Sequence, residues 1–184
     1  MPAGSENEIM IWYILLAVVA VIGVIALIAA TKPDEWTLQR QASIPGAPAK
    51  VFPYMDDLHK FLEWSPWAKL DPNMKVTHGT PASGNGAHFS WEGNGKVGAG
   101  KLTITESRPA DLVRCQFDFY KPFRCTNIHE FALKPDGSQT LVTWTMKGKA
   151  PFFFKMILVF VSCDTMMAKD VELGLNNLKA VVAA

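Results

Sequence analysis

The first thirty residues contain no Lys or Arg, and their only acidic residues are Glu6 and Glu8. That lack argues against a cleaved signal peptide, which needs a basic start. Cysteine is scarce: three residues, an odd number, with no CxxC pair and no Cys/His spacing suited to a metal. A disulfide-dense miniprotein is excluded, and no metal or cofactor is expected. Charge of one sign is lacking too. The net charge is +1, and beyond residue 30 there are 18 Lys+Arg against 15 Asp+Glu, too small a surplus to point to nucleic acid. No Asn-x-Ser/Thr acceptor, internal repeat or low-complexity tract occurs. With 49% hydrophobic residues, disorder is excluded as well.

What is present is uneven. Ile9 to Ala30 is a run of 22 residues, every one apolar or Gly. At ~1.5 Å per residue it makes a helix of about 33 Å, enough to cross a hydrocarbon core of ~30 Å. Trp12 and Tyr13 sit near one end, where amphipathic rings favour the interface. The expected order is an N-terminal tail (1–8), a transmembrane helix (9–30), a linker (31–35) and a single domain (36–184). Lys32, Arg40 and Lys50 follow the helix, so the positive-inside rule favours a cytoplasmic over a periplasmic domain on a plasma (inner) membrane.

Trp36 to Ile44 alternates Trp36, Leu38, Arg40, Ala42 and Ile44 on one face, the pattern of a half-buried strand. Pro45, Gly46 and Pro48 end it, and Val51, Phe52, Met55, Leu58, Phe61 and Leu62 recur at helical spacing, predicting one or two short helices up to Trp64. From Lys75 to Lys149 short apolar alternations broken by Gly, Pro and Asn predict five or six antiparallel strands, with a turn at Pro135-Asp136-Gly137. After Pro151 the period becomes helical again, predicting one amphipathic helix of about 25–30 residues. The fold class is therefore α+β: a curved antiparallel sheet wrapped around a long C-terminal helix, with short helices after the first strand.

Several segments, in this order, resemble one family: Gln41-Ala42-Ser43-Ile44 and Pro48-Ala49-Lys50-Val51-Phe52, then Trp64-Ser65-Pro66-Trp67, then Gly93 to Gly100 leading into Ile104-Thr105-Glu106-Ser107. Lys121-Pro122-Phe123, Val142-Thr143-Trp144, Asp170 and Leu178 complete the match, which covers about residues 37–179. The chain resembles the helix-grip proteins of the START/Bet v 1-like (SRPBCC) superfamily, in its polyketide cyclase/dehydrase-like branch. The resemblance implies a hydrophobic ligand held between sheet and C-terminal helix, and leaves the chemistry to the pocket.

Gly93-x-Gly-x-x-Gly98 matches a dinucleotide fingerprint in spacing only; strands on both sides make it a hairpin. Arg40, Asn127 and His129 are candidates to orient a ligand's polar head. Its apolar body would lie against Trp91, Phe117, Phe131, Trp144, Phe160, Met166 and Met167. Pairing of Arg40 with Glu106 is the simpler alternative. Trp64 and Trp67 form either a gate or a plug at the cavity's end. Phe152, Phe153 and Phe154, between Lys149 and Lys155, suit a buried helix start or a segment resting on an anionic bilayer. With Phe119 to Pro122 as a hairpin tip, Cys115 and Cys125 would face each other, as reduced core thiols or as a cross-strand pair. His129 and Glu106 are the only weak catalytic candidates. The expected function is non-catalytic binding of a hydrophobic small molecule or lipid by a membrane-anchored domain. A cyclase/dehydratase-type enzyme and a chaperone-like or quinone-complex interaction module are the alternatives; no protein partner is specified.

Overall fold

The computed structural model describes residues 4–184, in two compact units: the N-terminal helix through Asp34 with residues 150–162, and Glu35–Lys149 with Cys163–Ala184. The second unit is thus made of two stretches of chain, on either side of residues 150–162. In the first unit α1 (Gly4–Thr31) begins before Ile9, so residues 4–8 of the expected tail are helical, while residues 1–3 lie outside the described residues. Within it, Asn7–Thr31 is long and apolar enough to be a candidate membrane span or a signal sequence. The unit is completed by α5 (Phe152–Ile157).

The second unit is built on a seven-stranded antiparallel sheet of order β1-β7-β6-β5-β4-β3-β2. Its strands are β1 (Glu35–Pro45), β2 (Lys75–His78), β3 (His88–Glu92), β4 (Ala99–Arg108), β5 (Leu112–Lys121), β6 (Cys125–Asp136) and β7 (Gln139–Lys149). Three short helices follow β1: α2 (Pro48–Val51), α3 (Pro53–Asp56) and α4 (Leu58–Trp64). Prolines open the first two, and Asp57 caps α4 by accepting the His59 N–H at 2.9 Å. The long C-terminal helix is α6 (Cys163–Ala183), which buries Val171, Gly174, Leu175, Leu178 and Val182. It does not continue from Phe152: Leu158 to Ser162 is non-helical. Val159, Phe160 and Val161 are poor helix formers, and Ser162 stands where a helix start favours serine.

At the centre of this unit four rings meet edge to face: Trp64 with Phe61 (5.0 Å between centroids), Phe131 (5.8 Å) and Trp144 (5.5 Å). The indole N–H of Trp64 donates to the Tyr54 carbonyl at 2.7 Å, and Trp64 is fully buried. It is a core residue and not a gate.

Two local departures from ideal pairing change where side chains point. A β-bulge between Ile104 and Glu106 adds a residue to β4, so Ile104 opposes Cys115 but Glu106 opposes Arg114. Glu106 therefore leaves the face of Leu102 and Ile104, and binds Arg114 and, at 3.4 Å, Arg108. The β5–β6 hairpin is centred on Pro122, not Tyr120, which puts Cys115 opposite His129 and Cys125 opposite Phe119. The two thiols are free, one buried and one exposed. The β6–β7 turn likewise sits at Gly137-Ser138, one step past the expected triplet, with Gly137 at φ +60°.

The glycine-rich loop 93–98 is a hairpin between β3 and β4. Gly98 has φ +63°, and a Cβ there would lie 2.3 Å from the Lys121 carbonyl oxygen. Gly98→Ala is expected to cost ~1–3 kcal/mol of stability, read as a lowered urea midpoint with an unchanged slope.

Candidate functional site

The second unit encloses a cavity of about 200 Å³ between the inner face of the sheet, α4 and α6. The sheet supplies Phe89 and Trp91 from β3, Phe117 and Phe119 from β5, Asn127 and His129 from β6, and Met146 from β7. Phe61 of α4, Trp67 after it and Met167 of α6 close the other side. Lys96 and Val97, on the β3–β4 hairpin, stand at the rim. That hairpin is pinned from two directions: Trp91 Nε1 donates to the Val97 carbonyl at 3.0 Å, and the buried Asp71 carboxylate accepts the Asn94 N–H at 2.7 Å.

The lining is mostly apolar, its polar members being Ser65, Lys96, Asn127 and His129, and of these His129 is the most deeply buried. Its side chain is 2% exposed, its ring stacks on Phe117 at 4.0 Å, and Trp67 and Trp144 flank it at 6.3 and 5.9 Å. Neither ring nitrogen has a hydrogen-bond partner among the described residues, and the same holds for the buried Trp144 Nε1. Burial pushes the imidazole down to about 3, so at neutral pH it is uncharged, with one donor and one acceptor. A buried polar group left unbonded costs ~1–3 kcal/mol.

Of the residues the sequence offered for the site, Trp91, Phe117, Asn127, His129, Met167 and Trp67 come together here. The others lie elsewhere. Arg40 keeps the parity of Leu38, but its guanidinium is bound to Glu172 at 2.9 Å and Asp164 at 2.6 Å on α6; these bonds, Glu172 first, raise its pKa. Its partner is therefore not Glu106, which the bulge turns to the opposite face. Phe131 and Trp144 are fully buried in the ring cluster and add bulk beneath the cavity without lining it. Met166 is 47% exposed, one helical step of about 100° from Met167. Phe160 is 71% exposed and belongs to the other unit. Sequence reasoning missed Met146 and Phe119, which the β6–β7 register and β5 parity could have supplied, and Lys96, which lies in the glycine-rich hairpin.

The family model described as polyketide cyclase / dehydrase and lipid transport matches residues 35–183. The chain belongs to this family. Among solved structures, protein CV1439 from Chromobacterium violaceum is similar at 14% identity and TM-score 0.56, covering 83% of this chain and 99% of that one. Ara h 8.0201 gives 11% identity and TM-score 0.54, covering 81% and 98%. The Aha1 dimer from Colwellia psychrerythraea gives 17% and 0.53, covering 80% and 96%. At these identities the likeness shows the helix-grip fold alone. No curated protein matches the sequence. Within the family, the α+β architecture and an apolar cavity support hydrophobic-ligand binding by an SRPBCC domain.

Proposed function

We propose that this family member is a membrane-anchored, non-catalytic binder of a small hydrophobic molecule, or of one segment of a lipid, that carries a single hydrogen-bonding group. The observation that carries this reading is the neutral, unpartnered His129 in a mostly apolar cavity that Asn127 also lines. A volume of about 200 Å³ lies below the ~300 Å³ at which ordinary small-molecule sites begin, favouring a one- or two-ring guest or a short acyl segment over a whole phospholipid. Acid–base catalysis by His129 with Glu106 finds no support, because the bulge separates them. The anchor is α1, and Lys32 just after it favours a cytoplasmic domain on a plasma (inner) membrane.

The test is binding of 1-naphthol and of naphthalene to the full-length protein in mild detergent, followed by tryptophan quenching. Naphthol is expected to bind about threefold to tenfold more tightly, the worth of one net hydrogen bond. His129→Leu should erase that difference, Met167→Trp should remove both affinities, and Arg40→Ala should leave both unchanged. Absence of saturable binding by either compound overturns the reading.

A further inference from the structure

Residues 150–162 read Ala-Pro-Phe-Phe-Phe-Lys-Met-Ile-Leu-Val-Phe-Val-Ser, and Lys155 is their only charge. A stretch this apolar in the middle of a chain ordinarily sits in a core. Here Phe152, Phe153, Ile157, Phe160 and Val161 are 36–71% exposed as a group, with Phe153 at 66% and Phe160 at 71%. Lys155, by contrast, is 8% exposed, and its ammonium is held by the Asp34 carboxylate, whose pKa the bond lowers. The segment thus hides its charge and displays its hydrocarbon.

Its place in the fold indicates what covers that hydrocarbon. The segment forms one compact unit with α1 and packs on it through α5. The Ala150 N–H donates to the Asp34 carbonyl at 2.7 Å, fastening the two where α1 ends. From Asn7 to Val24 every side chain of α1 is exposed, and screening begins only in its last two turns, at Ile25, Ala26 and Ala29. The exposed face of 150–162 is therefore continuous with the exposed face of a helix long enough to cross a bilayer.

We propose that residues 150–162 are a second membrane contact: a short segment lying in the interface of the bilayer that α1 crosses, with Phe152, Phe153, Ile157 and Phe160 in the lipid. The inference rests on α1 being a retained anchor. With its one lysine neutralised by Asp34, the segment binds through apolar area and needs no anionic lipid. That differs from the sequence-based expectation, in which Lys155 faced anionic headgroups.

The test is photolabelling of the full-length protein, reconstituted in phosphatidylcholine vesicles, with a bilayer-partitioned aryl diazirine, the labelled peptides being mapped by mass spectrometry. Label is expected in the α1 span and in 150–162. Phe153→Asp combined with Phe160→Asp should abolish label in 150–162 while keeping it in α1. Label in α1 alone overturns the proposal and leaves the anchor standing. Label in neither overturns the anchor itself. An unlabelled 150–162 that cross-links between two copies assigns its apolar face to a second chain and likewise overturns the proposal.

Discussion

Trp64→Ala is expected to remove about 3–5 kcal/mol of stability, enough to leave much of the domain unfolded at 37 °C. The indole is fully buried, and three of its neighbours, Phe61, Phe131 and Trp144, touch it edge-on; none can collapse into its volume without losing contact with the others. Losing its N–H also leaves the Tyr54 carbonyl without that donor. The measurement is urea unfolding followed by circular dichroism. A gate would behave otherwise: removing it would speed ligand exchange at nearly constant stability. Trp67, half-buried at the cavity, is the residue whose replacement should show that second pattern.

Acid should destabilise the domain through His129, and the sign follows from its burial. The folded imidazole titrates at about 3, the unfolded one at ~6.5. Above ~6.5 both states are neutral and the contribution is constant. As pH falls below that value the unfolded chain gains a proton the folded one refuses, and stability drops by ~1.4 kcal/mol per pH unit until the folded group titrates. At pH 4.5 the loss is roughly 3 kcal/mol. His129→Phe keeps a ring against Phe117 and should not show this component, so the stability of wild type relative to the variant must fall by that amount between pH 7 and 4.5. His78, also lowered by burial and by the stacked His59, titrates in both proteins and cancels from the comparison. A pH-independent difference would mean that His129 is not desolvated.

Most of the architecture was legible because it is written in periodicity. The alternation in β6 and β7 places His129, Phe131, Leu133, Val142, Trp144 and Met146 on the buried face, as the sequence pattern requires. Periodicity fails where the chain inserts or shifts one residue. The bulge before Glu106 reverses parity without any local glycine or proline to announce it, and the β5–β6 tip could be centred on either Tyr120 or Pro122. The site was half legible for a related reason. Parity tells which side chains point inward, but not which of them fill the interior. Phe131 and Trp144 point inward and are consumed by packing against Trp64, whereas Trp91, Phe117 and His129 retain open space beside them. The Arg40 contacts were illegible because they depend on which face of α6, more than 120 residues away, swings over β1.

The sheet order carries a further consequence, for biosynthesis. β1 pairs with β7 along its whole length, Glu35 opposite Lys149 and Pro45 opposite Gln139, and no other strand can satisfy it. At ~5–20 residues per second, the ribosome delivers that partner about 6–23 seconds after β1 emerges. During that interval β1 is an unmatched ribbon directly behind an extremely apolar helix, the circumstance in which nascent chains associate wrongly. Its solvent-side residues Glu35, Thr37, Gln39, Gln41 and Ser43 are all polar, able to stay hydrated while they wait. The rate at which this protein matures should therefore track completion of its C-terminal half, with the first strand docking last.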